Sequence, residues 1–138
     1  MKLVALSYFF VAIGGALGAM ARYAFNVALQ RDVDFPLGTL SANLLGTLLL
    51  GVIAQLVAQS DWFNASGIIP DQYRLLFAVG FCGSFTTLSA FMFELNVFIQ
   101  RNDFLTAFSY LLATIVGGFA CFCAGVMITR AMMAGSGV

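Results

Sequence analysis

A chain of 138 residues that is 62% hydrophobic and only 9% charged is not a water-soluble domain, since those carry roughly a quarter charged residues. Its formal net charge is zero and it contains no histidine, so no basic surface points to nucleic acid and the commonest metal ligand and general base is missing. With about 20 apolar residues needed per helical crossing, the length holds four crossings and no separate soluble domain. The expected fold is a single all-α transmembrane domain, multi-pass in the cell (inner) membrane and surrounded by lipid.

The first apolar segment is residues 4–29. Lys2, the apolar run and Ala19-Met20-Ala21 superficially resemble a signal peptide with its cleavage site. Because three more spans follow, the segment reads instead as a helix continuing through Arg22 to about Leu29. Gly14, Gly18, Arg22 and Asn26 recur every four residues and so share one helix face. Gly14-x-x-x-Gly18 permits close packing of another helix. Arg22 on the same face then points into protein, because a charge at the bilayer centre costs at least about 2.5–3.5 kcal/mol. Two readings stand for Arg22, an anchor near the helix end and a functional group.

The second segment, 36–59, starts at Pro36, where a missing N–H does no harm. Its polar face is Thr39, Asn43 and Thr47. Threonines can satisfy themselves on their own backbone, but an unpartnered amide in apolar surroundings costs roughly 2–7 kcal/mol. Asn43 is therefore either inter-helix glue or part of a path. The polar separators are Arg31-Asp32-Val33-Asp34, Ser60-Asp61 through Asp71, and Arg101-Asn102-Asp103.

The third segment, 72–99, preceded by Pro70, is the most unusual. Fully helical, its 28 residues would span about 42 Å, longer than a hydrocarbon core of about 30 Å. Gly80 and Gly83-Ser84 mark the expected place of a mid-membrane break, which survives only where protein or a cavity surrounds it. Half-helix ends offer carbonyls to a cation and N–H groups to an anion. Beyond the break, Thr87, Phe91, Glu94 and Phe98 share a face, with Ser89 as a further hydroxyl. The fourth segment, 104–133, carries Thr106, Tyr110 and Thr114, then Gly117-Gly118. Cys82, Cys121 and Cys123 lie in apolar runs and read as small packing residues.

Four crossings put both termini on one side. Lys2, Arg74 and Arg130 fall on that side and Arg22, Arg31 and Arg101 on the other. This balance gives the positive-inside rule nothing to act on. An antiparallel, dual-topology dimer is the expectation.

Glu94 is the only carboxylate within the spans, and no nucleophile set or metal cluster accompanies it, so an enzyme is not expected. One amide, several hydroxyls and the positive edges of phenyl rings suit an anion more than a cation. A bare ion costs on the order of 20 kcal/mol to move into low dielectric before compensation, so donors must line the whole route.

The combination Gly38-Thr39-Leu40-x-Ala42-Asn43-x-x-Gly46 with Gly80-Phe81-Cys82-Gly83-Ser84-Phe85-Thr86-Thr87-x-Ser89-x-Phe91 resembles the CrcB/Fluc fluoride channels. Gly14, Gly18 and Arg22-Tyr23 also match that pattern. The resemblance implies a dual-topology homodimer with two antiparallel pores through which fluoride leaves the cytoplasm passively, giving fluoride resistance. Asn43 would then hydrogen-bond fluoride and Phe91 would contact it by its ring edge. Thr87, Ser89, Glu94, Tyr110 and Thr114 would complete the track. The backbone carbonyls of Gly83 and Thr86 would hold a structural sodium ion at the dimer interface, as a fixed countercharge.

The sequence departs from the family pattern at two places. Leu88 stands where members usually have phenylalanine, and Ala90 where they have threonine. Leu88 can keep the wall watertight but lacks a ring quadrupole, and Ala90 lacks a hydroxyl. These departures leave open a non-conducting partner subunit of a heterodimeric channel. A small multidrug-resistance exporter shares the size and topology, but it requires a carboxylate in the first helix, which this chain lacks.

Overall fold

The computed structural model describes residues 2–30, 34–59 and 70–135. The readings made for the separators at 31–33 and 60–69 lie outside the described residues. Among those described, four helical spans are long and apolar enough to cross a membrane: Val4–Leu29, Leu37–Ala58, Asp71–Gln100 and Phe104–Gly135. The expected segments are thus found, with ends displaced by at most two residues. We label Lys2–Leu29 α1 and Leu37–Ala58 α2.

The third span is not one continuous helix. Its first part, α3, comprises Pro70–Tyr73, a wide π-helical stretch Arg74–Cys82, and Gly83–Phe85. Thr86 (φ −80°, ψ 150°) and Thr87 (φ −148°, ψ 116°) are extended. The helix restarts as α4, Leu88–Gln100, and α5 follows as Phe104–Gly135.

The non-helical residues are therefore not those the glycines suggested. Gly80 lies within the π-helical stretch and Gly83 is helical with φ −62°. Gly80 serves packing instead, because a β-carbon there would meet Gly14 Cα and Val11 O, each at 2.9 Å. The two extended residues are β-branched, a side-chain type that fits extended backbone well. Thr87 also provides the cap that restarts the helix, its hydroxyl accepting from the Ala90 N–H at 3.2 Å.

Glycine contacts bring the helices together in two close pairs. On α1, β-carbons at Gly14 and Gly18 would strike the backbone carbonyls of Leu76 and Phe81 on α3. On the α2–α5 contact, Gly51 abuts the carbonyl of Phe122, and Gly125 that of Leu48. Small residues give such backbone approach where lipid offers no hydrophobic drive between helices. A tight turn joins α4 to α5. Asn102 takes the left-handed conformation (φ 57°), and Asp103 Oδ1 accepts from the Thr106 N–H at 3.2 Å at the start of α5. The buried centre between α4 and α5 is Phe91, Phe98, Ala107 and Tyr110.

Candidate functional site

Asn43 is positioned by the middle of α2 and is 8% exposed. Its Oδ1 accepts from the Thr87 N–H at 2.8 Å, and its Nδ2 donates to the Thr87 carbonyl at 3.3 Å. One side chain thus pairs with both backbone groups of the extended residue. The amide nitrogen carries two hydrogens and Thr87 takes one. Asn43 is inter-helix glue, as one of its two readings had it, and it also lines a cavity. One turn on, Thr47 donates to the Asn43 and Leu44 carbonyls, both at 2.9 Å, and is satisfied locally.

Thr39, one turn before Asn43, behaves differently from Thr47. Its hydroxyl donates to Glu94 Oε1 at 2.6 Å, while Tyr110 OH donates to Glu94 Oε2 at 2.6 Å. Both carboxylate oxygens therefore hold a hydroxyl from another helix. Short O–H···O contacts to a carboxylate are among the stronger hydrogen bonds. Tyr110 is fully buried, with the Phe91 ring at 4.9 Å and 60° in an edge-type contact and Phe35 at 5.4 Å.

Two cavities flank this cluster. The first, about 290 Å³, is lined by Asn43, Thr47, Thr86, Thr87, Leu88, Phe91 and Thr114, among others. Thr114 Oγ1 is buried and has no hydrogen-bond partner. The second, about 300 Å³, is lined by Gln30, Asp34, Pro36, Glu94, Val97, Phe98 and Arg101. Phe91 faces the first and Glu94 the second, and only Met92 and Phe93 separate them on α4. The Phe91–Tyr110–Glu94 cluster thus touches both cavities.

The remaining predicted residues fall around the extended segment. Ser89 Oγ lies 3.1 Å from Thr87 Oγ1 on the exposed side, and Leu88 is 66% exposed at the rim of the first cavity. Thr86 donates its hydroxyl to the Cys82 carbonyl at 2.9 Å. Arg22, half-buried, donates from Nε to the Ser84 carbonyl at 3.2 Å, so it faces protein as its stripe predicted. Gly14 and Gly18, on that stripe, seat α1 against α3.

Sequence reasoning did not identify Thr39 as a partner of Glu94, or the Ser84 carbonyl as a partner of Arg22. The spacing of four that links Thr39 to Asn43 was the available signal for the first. A backbone carbonyl has no signal in sequence.

The lining is chemically simple. Apart from Glu94, whose oxygens each accept a hydroxyl, the first cavity and the cluster carry no charge: the Asn43 amide and the Thr114 and Tyr110 hydroxyls stand among apolar and aromatic side chains, Leu88, Phe91, Ile115 and Phe119. Among the described residues no group of three or more histidine, cysteine, aspartate or glutamate side chains comes together.

Comparison with known proteins is consistent across the chain. The family model described as "CrcB-like protein, Camphor Resistance (CrcB)" matches residues 9–126. A protein of Prosthecochloris aestuarii named "Fluoride-specific ion channel FluC" is 36% identical over 121 residues, covering 87% of this chain and 90% of the relative. One of the same name from Gloeothece citriformis is 33% identical over 129 residues, 91% of this chain and 98% of its own length. Another from Caulobacter sp. strain K31 is 38% identical over 122 residues, 87% and 91% respectively.

Proposed function

Because the chain belongs to the CrcB-like family, we propose that it is a fluoride-selective channel, not an enzyme, passing fluoride out of the cytoplasm down its gradient. It is a multi-pass membrane protein. The observation that carries the reading is Thr114 Oγ1, buried without a partner in a cavity it shares with Asn43 and Phe91. Such an orphan in apolar surroundings is costly and calls for an occupant able to pair with it. A small hard anion meets there the spare Asn43 N–H, the Thr114 hydroxyl and the Phe91 ring edge. These donors replace hydration, and only close donors all along the route offset the loss of water.

Tyr110 and Thr39 extend the donor series beyond Phe91. In the conformation described both donate to Glu94. An anion advancing past Phe91 takes up one of these hydroxyls in place of the carboxylate. Glu94 in this scheme holds the donors ready and sets the boundary with the second cavity.

The assembly is an antiparallel homodimer. Two features support it: the balanced distribution of basic residues between the two sides, and the exposure of Leu88 and Ser89 beside the first cavity. A second copy covers this face and closes the pore wall. Sodium fits the extended segment by its donor chemistry. The Thr87 N–H, which a continuous helix would direct to the Gly83 carbonyl, is taken by Asn43. The Ala90 N–H, which would meet the Thr86 carbonyl, is taken by the Thr87 hydroxyl. Gly83 and Thr86 thus have neutral, hard oxygens outside the helical ladder, the donor type a small hard cation takes. Bound there, sodium supplies fixed positive charge near the anion path.

The test is fluoride loss from proteoliposomes containing the purified protein, read with a fluoride electrode, with chloride as control ion. Rapid fluoride loss without chloride loss is expected. Absence of fluoride flux, or chloride flux at the same rate, defeats the proposal.

A further inference from the structure

We infer that the interruption at Thr86–Thr87 is imposed by two side chains from other helices, Arg22 on α1 and Asn43 on α2, and that Arg22 is a positioning residue for the pore. The local sequence does not dictate a break. No proline lies between Asp71 and Asp103, and both nearby glycines are within helical turns.

An interrupted helix strands backbone groups, and in apolar surroundings each stranded group costs enough to drive the chain back to continuous helix. Here the Ser84 carbonyl, which a continuous helix would pair with the Leu88 N–H, accepts from Arg22 Nε at 3.2 Å. Both backbone groups of Thr87 are paired with Asn43. These partners are 62 and 44 residues away in sequence, so the break is held by tertiary contacts. Gly46 completes the fit, because a β-carbon there would occupy the place of the Thr86 methyl.

The charge of Arg22 suits this place. The Ser84 carbonyl belongs to the last turn of α3, the negative end of its dipole, where a cation is favourable. The guanidinium carries its N–H donors in a rigid planar fork, so its contribution is a fixed donor at that helix end. Gly18 is what brings it within reach: its face lies against Phe81 O and Phe85 N, and Arg22 is one turn further along the same stripe.

The test combines backbone threonine ¹³Cα and ¹³Cβ shifts at Thr86 and Thr87, in lipid, with fluoride efflux. Only the efflux arm rests on the channel reading. The wild-type chain is expected to show extended shifts at both residues. Arg22→Gln, which loses the charged donor, is expected to move them toward helical values and to lower fluoride flux about ten- to hundredfold, the range for removing a hydrogen bond to a charged group. Arg22→Lys, which keeps a cationic donor, is expected to retain the extended shifts and recover most of the flux. Arg22→Gln with unchanged extended shifts overturns the inference, whatever its flux. If Arg22→Gln does not assemble, Arg22→Lys decides: helical shifts in that folded variant overturn it too. Shifts that respond as expected in a chain without fluoride flux uphold the clamp and defeat the channel reading.

Discussion

Asn43 and Thr87 lie 44 residues apart in sequence and exchange two hydrogen bonds, at 2.8 and 3.3 Å, between one side-chain amide and both polar groups of one backbone residue. This pairing substitutes a side chain for the helical ladder at the point where the third span is extended. Asn43 also lines the first cavity.

The structural role of Asn43 and its proposed conductive role are separable by substitution. Asn43→Ala strands both Thr87 groups and is expected to destabilise the fold by about 1–3 kcal/mol, read by denaturant titration in detergent. Asn43→Gln keeps both an acceptor and an amide donor on a longer stem, so it is expected to retain more stability than Asn43→Ala. Its displaced amide is expected to lower fluoride flux at least tenfold. Equal stability loss in the two variants would show that the amide pairing with Thr87 contributes nothing.

Thr39 and Tyr110 converge on opposite oxygens of Glu94. Interhelical hydrogen bonds in membranes average about 0.6 kcal/mol and reach about 1.7. Because these bonds are short, at 2.6 Å each, Thr39→Val and Tyr110→Phe are each expected near the upper end. Paired with Glu94→Gln in double-mutant cycles, each should show a coupling of about 0.5–1.5 kcal/mol. Strict additivity would mean that the carboxylate does not bind the two hydroxyls in the membrane.

Leu88 is 66% exposed at the rim of the first cavity in the single chain, on the face that the proposed second copy covers, so exchanging it for an aromatic disturbs little packing within the chain. Leu88→Phe is expected to leave the stability of the fold within about 0.5 kcal/mol, any larger change being read as altered dimer packing. If Leu88 forms part of the ion path, the added ring edge should raise fluoride flux severalfold in liposome efflux. Unchanged flux would place Leu88 outside the path.

Gly15 and Gly18 provide an internal control for helix packing. A β-carbon at Gly18 would strike the Phe81 carbonyl, whereas one at Gly15 meets nothing within 4 Å. Gly18→Ala is expected to separate α1 from α3, displace Arg22 from Ser84 and lower both thermal stability and flux. Gly15→Ala should leave flux intact and raise stability slightly, since glycine costs a helix roughly 0.5–1 kcal/mol relative to alanine. Similar behaviour of the two variants would contradict the close packing at Gly18.

The sequence by itself determined the class, the four spans and most of the site. Apolar run length and a spacing of four are local properties, and they placed Asn43, Phe91, Glu94, Tyr110 and Thr114 on inward faces. Glycine spacing likewise located the face of α1 that meets α3. Only the tertiary structure decided where the third span is interrupted. Gly80 and Gly83 looked like helix breakers, yet in a membrane an orphaned backbone group costs more than a glycine in a helix. The helix therefore yields at Thr86–Thr87, where partners from α1 and α2 are within hydrogen-bond distance. Those partners become neighbours only after α1 and α2 have packed against α3, so no window of the sequence contains them.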